Sequence, residues 1–140
     1  MYAEHAEREL QALLDTWQDT ETRTRSSFIA FRDHLLSMPG VTLSFKGRPG
    51  VSYSLRATSA AQTARPLFVL VDVVDDDPSE RWLSVCFYAD LIADPEELGD
   101  WVPGGLLGED ACCFNLEEDD NTVREYIKTR LTEAHTNATA

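Results

Sequence analysis

The chain is short of positive charge, of cysteine and of long apolar runs, and each shortage narrows what it can be. Twelve lysines and arginines stand against 25 aspartates and glutamates, for a net charge of −13. Phosphate polymers are held by clustered bases, so nucleic-acid binding by the surface as a whole is disfavoured. The longest apolar run, Pro66–Val74, is interrupted by Asp72 and falls well short of the roughly 20 residues of a membrane helix. The first ten residues have neither a basic start nor an apolar stretch. No secretory signal is therefore expected, and the chain reads as soluble and cytoplasmic.

Three cysteines, an odd number, cannot all pair within one chain. Cys86 lies in an apolar, strand-like run, and Cys112 and Cys113 are adjacent, a spacing at which a mutual bridge is strained. Three reduced, mostly buried thiols are expected. Zinc would need further ligands, and no CxxC or paired histidine supplies them. His5, His34 and His135 are far apart, on predicted helices. The cluster at Asp72 and Asp75–Asp77 lacks calcium-loop spacing, and Gly104-Gly105-Leu106-Leu107-Gly108 lacks the Lys-Ser/Thr of a phosphate loop. The expectation is no metal, no cofactor and no recognisable catalytic set.

What is present fits one domain: 140 residues, 43% of them hydrophobic, enough for a core of its own. Residues 2–37 read as helical. Leu10, Leu14, Trp17, Phe28, Phe31 and Leu35 keep a three-four spacing across a polar gap at Glu21 and Thr24. Either one long helix or two helices broken near Asp19–Thr22 satisfy this, and with no Gly or Pro to force the break the continuous form is favoured. Its first half, Leu10, Leu14 and Trp17, then needs a cover, which implies a homodimer through the N-terminal helix.

Pro39-Gly40 stops the helix. Val41–Lys46 and Val51–Ala57 alternate about the turn Gly47-Arg48-Pro49-Gly50, as a β-hairpin does. Pro66–Val74 and Arg81–Ala89 read as further strands, and Ala111–Leu116 as a short fifth. Residues 90–110, with four glycines and two prolines, read as a long irregular loop of the kind that is usually functional. A closing helix begins near Asp119–Thr122, where Thr122 and Glu125 have capping-box spacing. The fold class expected is α+β: an antiparallel sheet of about five strands, with N-terminal and C-terminal helices packed on one face.

Charge is segregated along the chain. From Asp72 to Asp120 there are 16 acids and one base, Arg81, whereas between Asp33 and Asp72 there are four bases and no acid. A binding protein working through an acidic, loop-rich face is the leading expectation. Its candidate residues are Trp101, a large anchor of the kind that dominates interfaces, with Asp100, Glu109 and Asp110. The partner would be a cationic protein, or the basic hairpin carrying Lys46, Arg48 and Arg56 in this or another copy. The alternatives are a small enzyme with its cleft between the sheet and loop 90–110, and a nucleic-acid-binding module using hairpin 46–56.

The order of elements, with Phe45-Lys46 and Tyr53-Ser54-Leu55 on the hairpin and Gly99-Asp100-Trp101 before a short strand and closing helix, resembles small bacterial YjbR-type proteins. Frataxin-like domains share the layout. The resemblance covers roughly residues 25–135 and implies an antiparallel sheet backed by two helices. Some YjbR-type domains are thought to bind DNA, and frataxin-like proteins bind iron through acids on the first helix and adjoining strand. Here the acids lie mostly after Asp72, so no metal-binding residue carries over.

Overall fold

A computed structural model describes residues 1–140. Three α-helices and six strands alternate along the chain as α1 (Ala6–Thr16), α2 (Thr24–Leu36), β1 (Val41–Arg48), β2 (Ser52–Ser59), β3 (Val69–Val74), β4 (Trp82–Tyr88), β5 (Asp100–Leu106), β6 (Glu109–Leu116) and α3 (Asn121–Ala138). The class is α+β, and the sheet is antiparallel throughout, with order β1-β2-β3-β4-β6-β5. It has six strands rather than about five, because part of the expected loop 90–110 is itself a strand. No helix is long and apolar enough to cross a membrane.

The N-terminal helical segment is two helices, not one. α1 ends at Thr16, Trp17 takes an extended conformation, and α2 begins after Arg23. The break lets Trp17 and Phe28 meet in the core, with ring centroids 5.8 Å apart. Arg25 of α2 donates to the Leu14 carbonyl at 3.3 and 3.2 Å, reinforcing a C-terminal group that α1 itself meets with the long 3.4 Å bond from the Trp17 amide. Leu10, Leu14 and Trp17 are consequently buried within the chain itself, so the stripe that called for a homodimer is already covered.

Alternation divides the sheet into two faces. Leu43, Leu55, Val69, Val71, Val73, Leu83, Val85, Phe87 and Phe114 are almost wholly buried and share one core with Phe28, Phe31 and Leu35 of α2 and Ile127 and Leu131 of α3. On the other face, Ser44, Ser54, Arg56, Asp72 and Ser84 are half-buried, and Lys46 and Arg48 are exposed. The β1–β2 turn forms as its residues dictate. Pro49 presets one dihedral, Gly50 supplies φ 83°, and the Val51 amide donates to the Arg48 carbonyl at 2.9 Å. α3 is capped by Asp120, whose side chain accepts from the Val123 amide at 3.0 Å, rather than by the Thr122–Glu125 pair.

The thiol expectation is also corrected. Cys86 on β4 lies directly opposite Cys113 on β6, their Cα atoms 4.1 Å apart, and the two are bridged. Only Cys112, which points to the other face, is free. Burial pushes its thiol pKa up, and the nearby Asp94 and Asp100 carboxylates push the same way. A persistent bridge is uncommon in reducing compartments, so the cytoplasmic expectation loses the support it drew from reduced thiols.

Candidate functional site

The acidic candidates collect at one edge of the sheet. β5 runs along the outside of β6, with Trp101 opposite Cys112 and Val102 opposite Ala111, and its register shifts before Leu106 meets Glu109. Pro103 lies within that shift and is tolerated because β5 is an edge strand. The hairpin closes through Leu107 and Gly108, both at positive φ, 49° and 87°. That is the pattern of a two-residue turn matched to strand twist, which favours Asn-Gly. Leucine in the left-handed region costs roughly 1–2 kcal/mol. Here its side chain is also 60% exposed, so neither backbone preference nor burial explains it.

Trp101 is 64% exposed, and Val102 and Leu98 beside it are also open to solvent. It therefore does not plug the segment onto the sheet. Trp101, Glu109 and Asp110 line one cleft of about 280 Å³ together with Arg65, Ala89 and Asp90. Asp100 precedes Trp101 on β5 and pairs with Cys113, which turns it toward the opposite sheet face.

By sequence Arg65 is one of the four bases between Asp33 and Asp72, but in the fold it braces the acidic end. Its guanidinium donates to both oxygens of Asp90 at 2.7 and 2.8 Å and to both of Glu109 at 3.2 and 2.8 Å. It also lies 4.2 Å from the Tyr88 ring centroid. These bonds hold the Asp90 carboxyl below its usual pKa. The signal was faint: Arg65 is a lone base ahead of an acidic block.

Asp94 organises the approach to β5. It accepts from the Leu98 and Gly99 amides at 3.1 and 2.8 Å and from the Tyr126 hydroxyl. Burial works against the charge, but these bonds hold its pKa down. A Cβ at Gly99 would lie 2.6 Å from the Cys112 sulfur, so glycine is required where the chain enters β5.

Lys46, Arg48 and Arg56 are not part of this site. They sit on β1 and β2, at the far side of the sheet from β5. With strands about 4.8 Å apart, the basic hairpin and the acidic edge are roughly 20 Å from each other and cannot meet within one copy.

Asp72 shares the face of the three bases and accepts from the Ser54 hydroxyl. Burial raises its pKa, against the opposing pull of that bond and of Arg56 and Arg48. Its ionisation therefore costs stability as pH rises above the ordinary carboxylate pKa of about 3.9 through the raised folded value. Asp72→Asn should be more stable than the parent at pH 7 and lose that gain near pH 3. Denaturant melts at the two pH values check this, and equal or lower stability of the variant at pH 7 would contradict it.

A larger depression of about 610 Å³ lies among the α1–α2 linker, the β3–β4 turn and Glu117, but its walls are acids and hydroxyls with Trp82 as the single apolar residue. No three His, Cys, Asp or Glu side chains converge on a common point. No protein-family model, curated protein or solved structure matches the chain.

Proposed function

We propose that this chain is a binding protein that docks a cationic, partly apolar partner on the acid-rimmed β5–β6 hairpin, with Trp101 as its anchor. One observation carries this. Trp101 and Leu107, two large apolar side chains of the hairpin, are both mostly exposed, and Leu107 holds a strained backbone to be so, whereas Leu106, Phe114 and Leu116 of the same hairpin are buried. Local rules are usually broken where function demands it. The surrounding carboxylates set the sign of the partner. In the cleft, Asp90, Glu109 and Asp110 outnumber Arg65, and charge complementarity speeds encounter and excludes acidic competitors. Arg65 and Asp94 serve as braces for this surface. No homodimer through α1 is needed.

Leu107→Asn separates a binding role from a folding one. Asparagine tolerates positive φ, so the variant should gain about 0.5–1 kcal/mol in stability. The same change should weaken binding of a synthetic peptide of alternating lysine and leucine. A variant that is more stable and binds that peptide undiminished would remove Leu107 from the site.

A further inference from the structure

The opposite edge of the sheet carries a second unexplained feature. Nine of the twelve basic side chains are engaged: Arg23, Arg32, Arg65, Arg81, Arg124, Lys128 and Arg130 in ion pairs, Arg8 with His5 and Arg25 with a helix carbonyl. The remaining three, Lys46, Arg48 and Arg56, form no ion pair in a chain with 25 acids, their one acidic neighbour on the face being the half-buried Asp72, already held by Ser54. All three lie on the open face, and the Arg56 Nε is shielded from solvent without a hydrogen-bond partner. Lys46 faces Ser54, Arg48 faces Ser52 and Arg56 faces Ser44. The cations therefore form a line along the strand direction, one every second residue, at steps of about 6.8 Å.

The edge beside them is half free. Residues 1–3 close the first half of β1: Ala3 donates to the Leu43 carbonyl and Leu43 to the Met1 carbonyl, at 2.8 and 2.9 Å. Leu43 thus directs its backbone groups away from β2, and by the antiparallel alternation Phe45 and Gly47 do the same. Neither makes a hydrogen bond beyond the strand ladder. β1 pairs regularly with β2 from Val41 to Arg48, so a regular, unpaired stretch of backbone runs beside the cation line. The β5 edge, by contrast, is broken by Pro103 and a register shift.

From this geometry we infer that the free half of β1 takes up an extended acidic peptide segment as an added strand. Its backbone pairs with Phe45 and Gly47, and carboxylates at alternate positions fall opposite Ser44, Lys46 and Arg48. The carboxylate opposite Ser44 meets Arg56, from which it is separated only by a hydroxymethyl group. The period of an extended peptide equals the period of the cations, because both are β-strands. A single-stranded nucleic acid fits less well, since the half-buried Trp82 on β4, three strands from β1, is the nearest aromatic of this face on which a base could stack.

The probe is a seven-residue peptide, Thr-Glu-Thr-Glu-Thr-Glu-Thr. It should bind in low salt, shift the amide resonances of residues 44–48 and slow hydrogen exchange at Phe45 and Gly47. Lys46→Glu combined with Arg48→Glu, both at exposed positions, should weaken binding at least tenfold. An isomer with its three glutamates contiguous should bind more weakly than the alternating peptide. Equal binding of the two isomers, or unprotected amides at 45 and 47, would overturn strand addition whatever the fate of the double variant. Tighter binding of a single-stranded oligonucleotide would replace the peptide by a phosphate polymer. No binding of the peptide, with the double variant self-associating, would make the cations guards against edge pairing.

Discussion

Arg81→Ala should lower the free energy of unfolding by about 3–5 kcal/mol, the usual cost of removing one partner of a buried ion pair. Arg81 Nε lies 2.7 Å from Asp75 Oδ1, and both side chains are almost fully enclosed. Without the guanidinium, the Asp75 carboxylate is left uncompensated in the interior. The loss spreads because the pair is a junction. Asp75 also accepts from the Gly50 amide at 2.8 Å, which ties down the β1–β2 turn. The Arg81 carbonyl accepts from Thr24 at the start of α2, and the guanidinium lies 5.7 and 5.8 Å from the Trp17 and Tyr53 ring centroids. Arg81→Met combined with Asp75→Leu should recover much of the loss, since no charge stays buried. Recovery stops short of complete because the Gly50 amide, in an exposed turn, loses its acceptor, at about 0.5–1.5 kcal/mol for a hydrogen bond. Chemical denaturation of the single and double variants checks this. A loss below about 1 kcal/mol for Arg81→Ala, the level of an exposed pair, would show that the junction is not structural.

Trp101→Ala should do the reverse: leave stability within about 0.5 kcal/mol of the parent and weaken partner binding by about 2 kcal/mol or more, roughly 30-fold. The indole is 64% exposed and makes no aromatic pair, so truncation opens no cavity in the core. What it removes is a large, rigid apolar surface held beside Glu109 and Asp110. A stability loss of about 3–5 kcal/mol, as for a core aromatic, would make Trp101 a structural plug.

Where the sequence was legible, local pattern and tertiary structure agree. Val41–Ala57 alternates, turns at Pro49-Gly50 and alternates again, and it folds as β1 and β2 do. A helix break near Asp19–Thr22 is one of two readings the sequence allows, and the continuous helix is favoured only because Glu21 and Thr24 keep the phase of the apolar stripe, so periodicity continues where the chain folds back. The fold-back is fixed by contacts distant in sequence, Trp17 on Phe28 and Arg25 on the Leu14 carbonyl. β5, Asp-Trp-Val-Pro-Gly-Gly-Leu, has little strand propensity of its own and is a strand because β6 supplies a partner. The Cys86–Cys113 bridge depends on register between strands 27 residues apart in sequence, which no local pattern encodes. Counting charge found the acidic block but treated Asp75 as one more surface acid, although it is the buried member of it. Trp101, Glu109 and Asp110 were legible as a group because one short segment carries them, whereas Arg65 joins them only through the fold.

The central claim is that the acid-rimmed β5–β6 hairpin is the binding surface. The most direct test is titration of ¹⁵N-labelled protein with the alternating lysine–leucine peptide, following the three tryptophan indole resonances and the backbone amides. The Trp101 indole and the amides of Leu107–Asp110 should shift together at the lowest peptide concentrations, with the buried Trp17 indole unmoved. The shifts should fade as salt screens the carboxylates. Saturable binding of the peptide with the Trp101 indole unperturbed would contradict the claim.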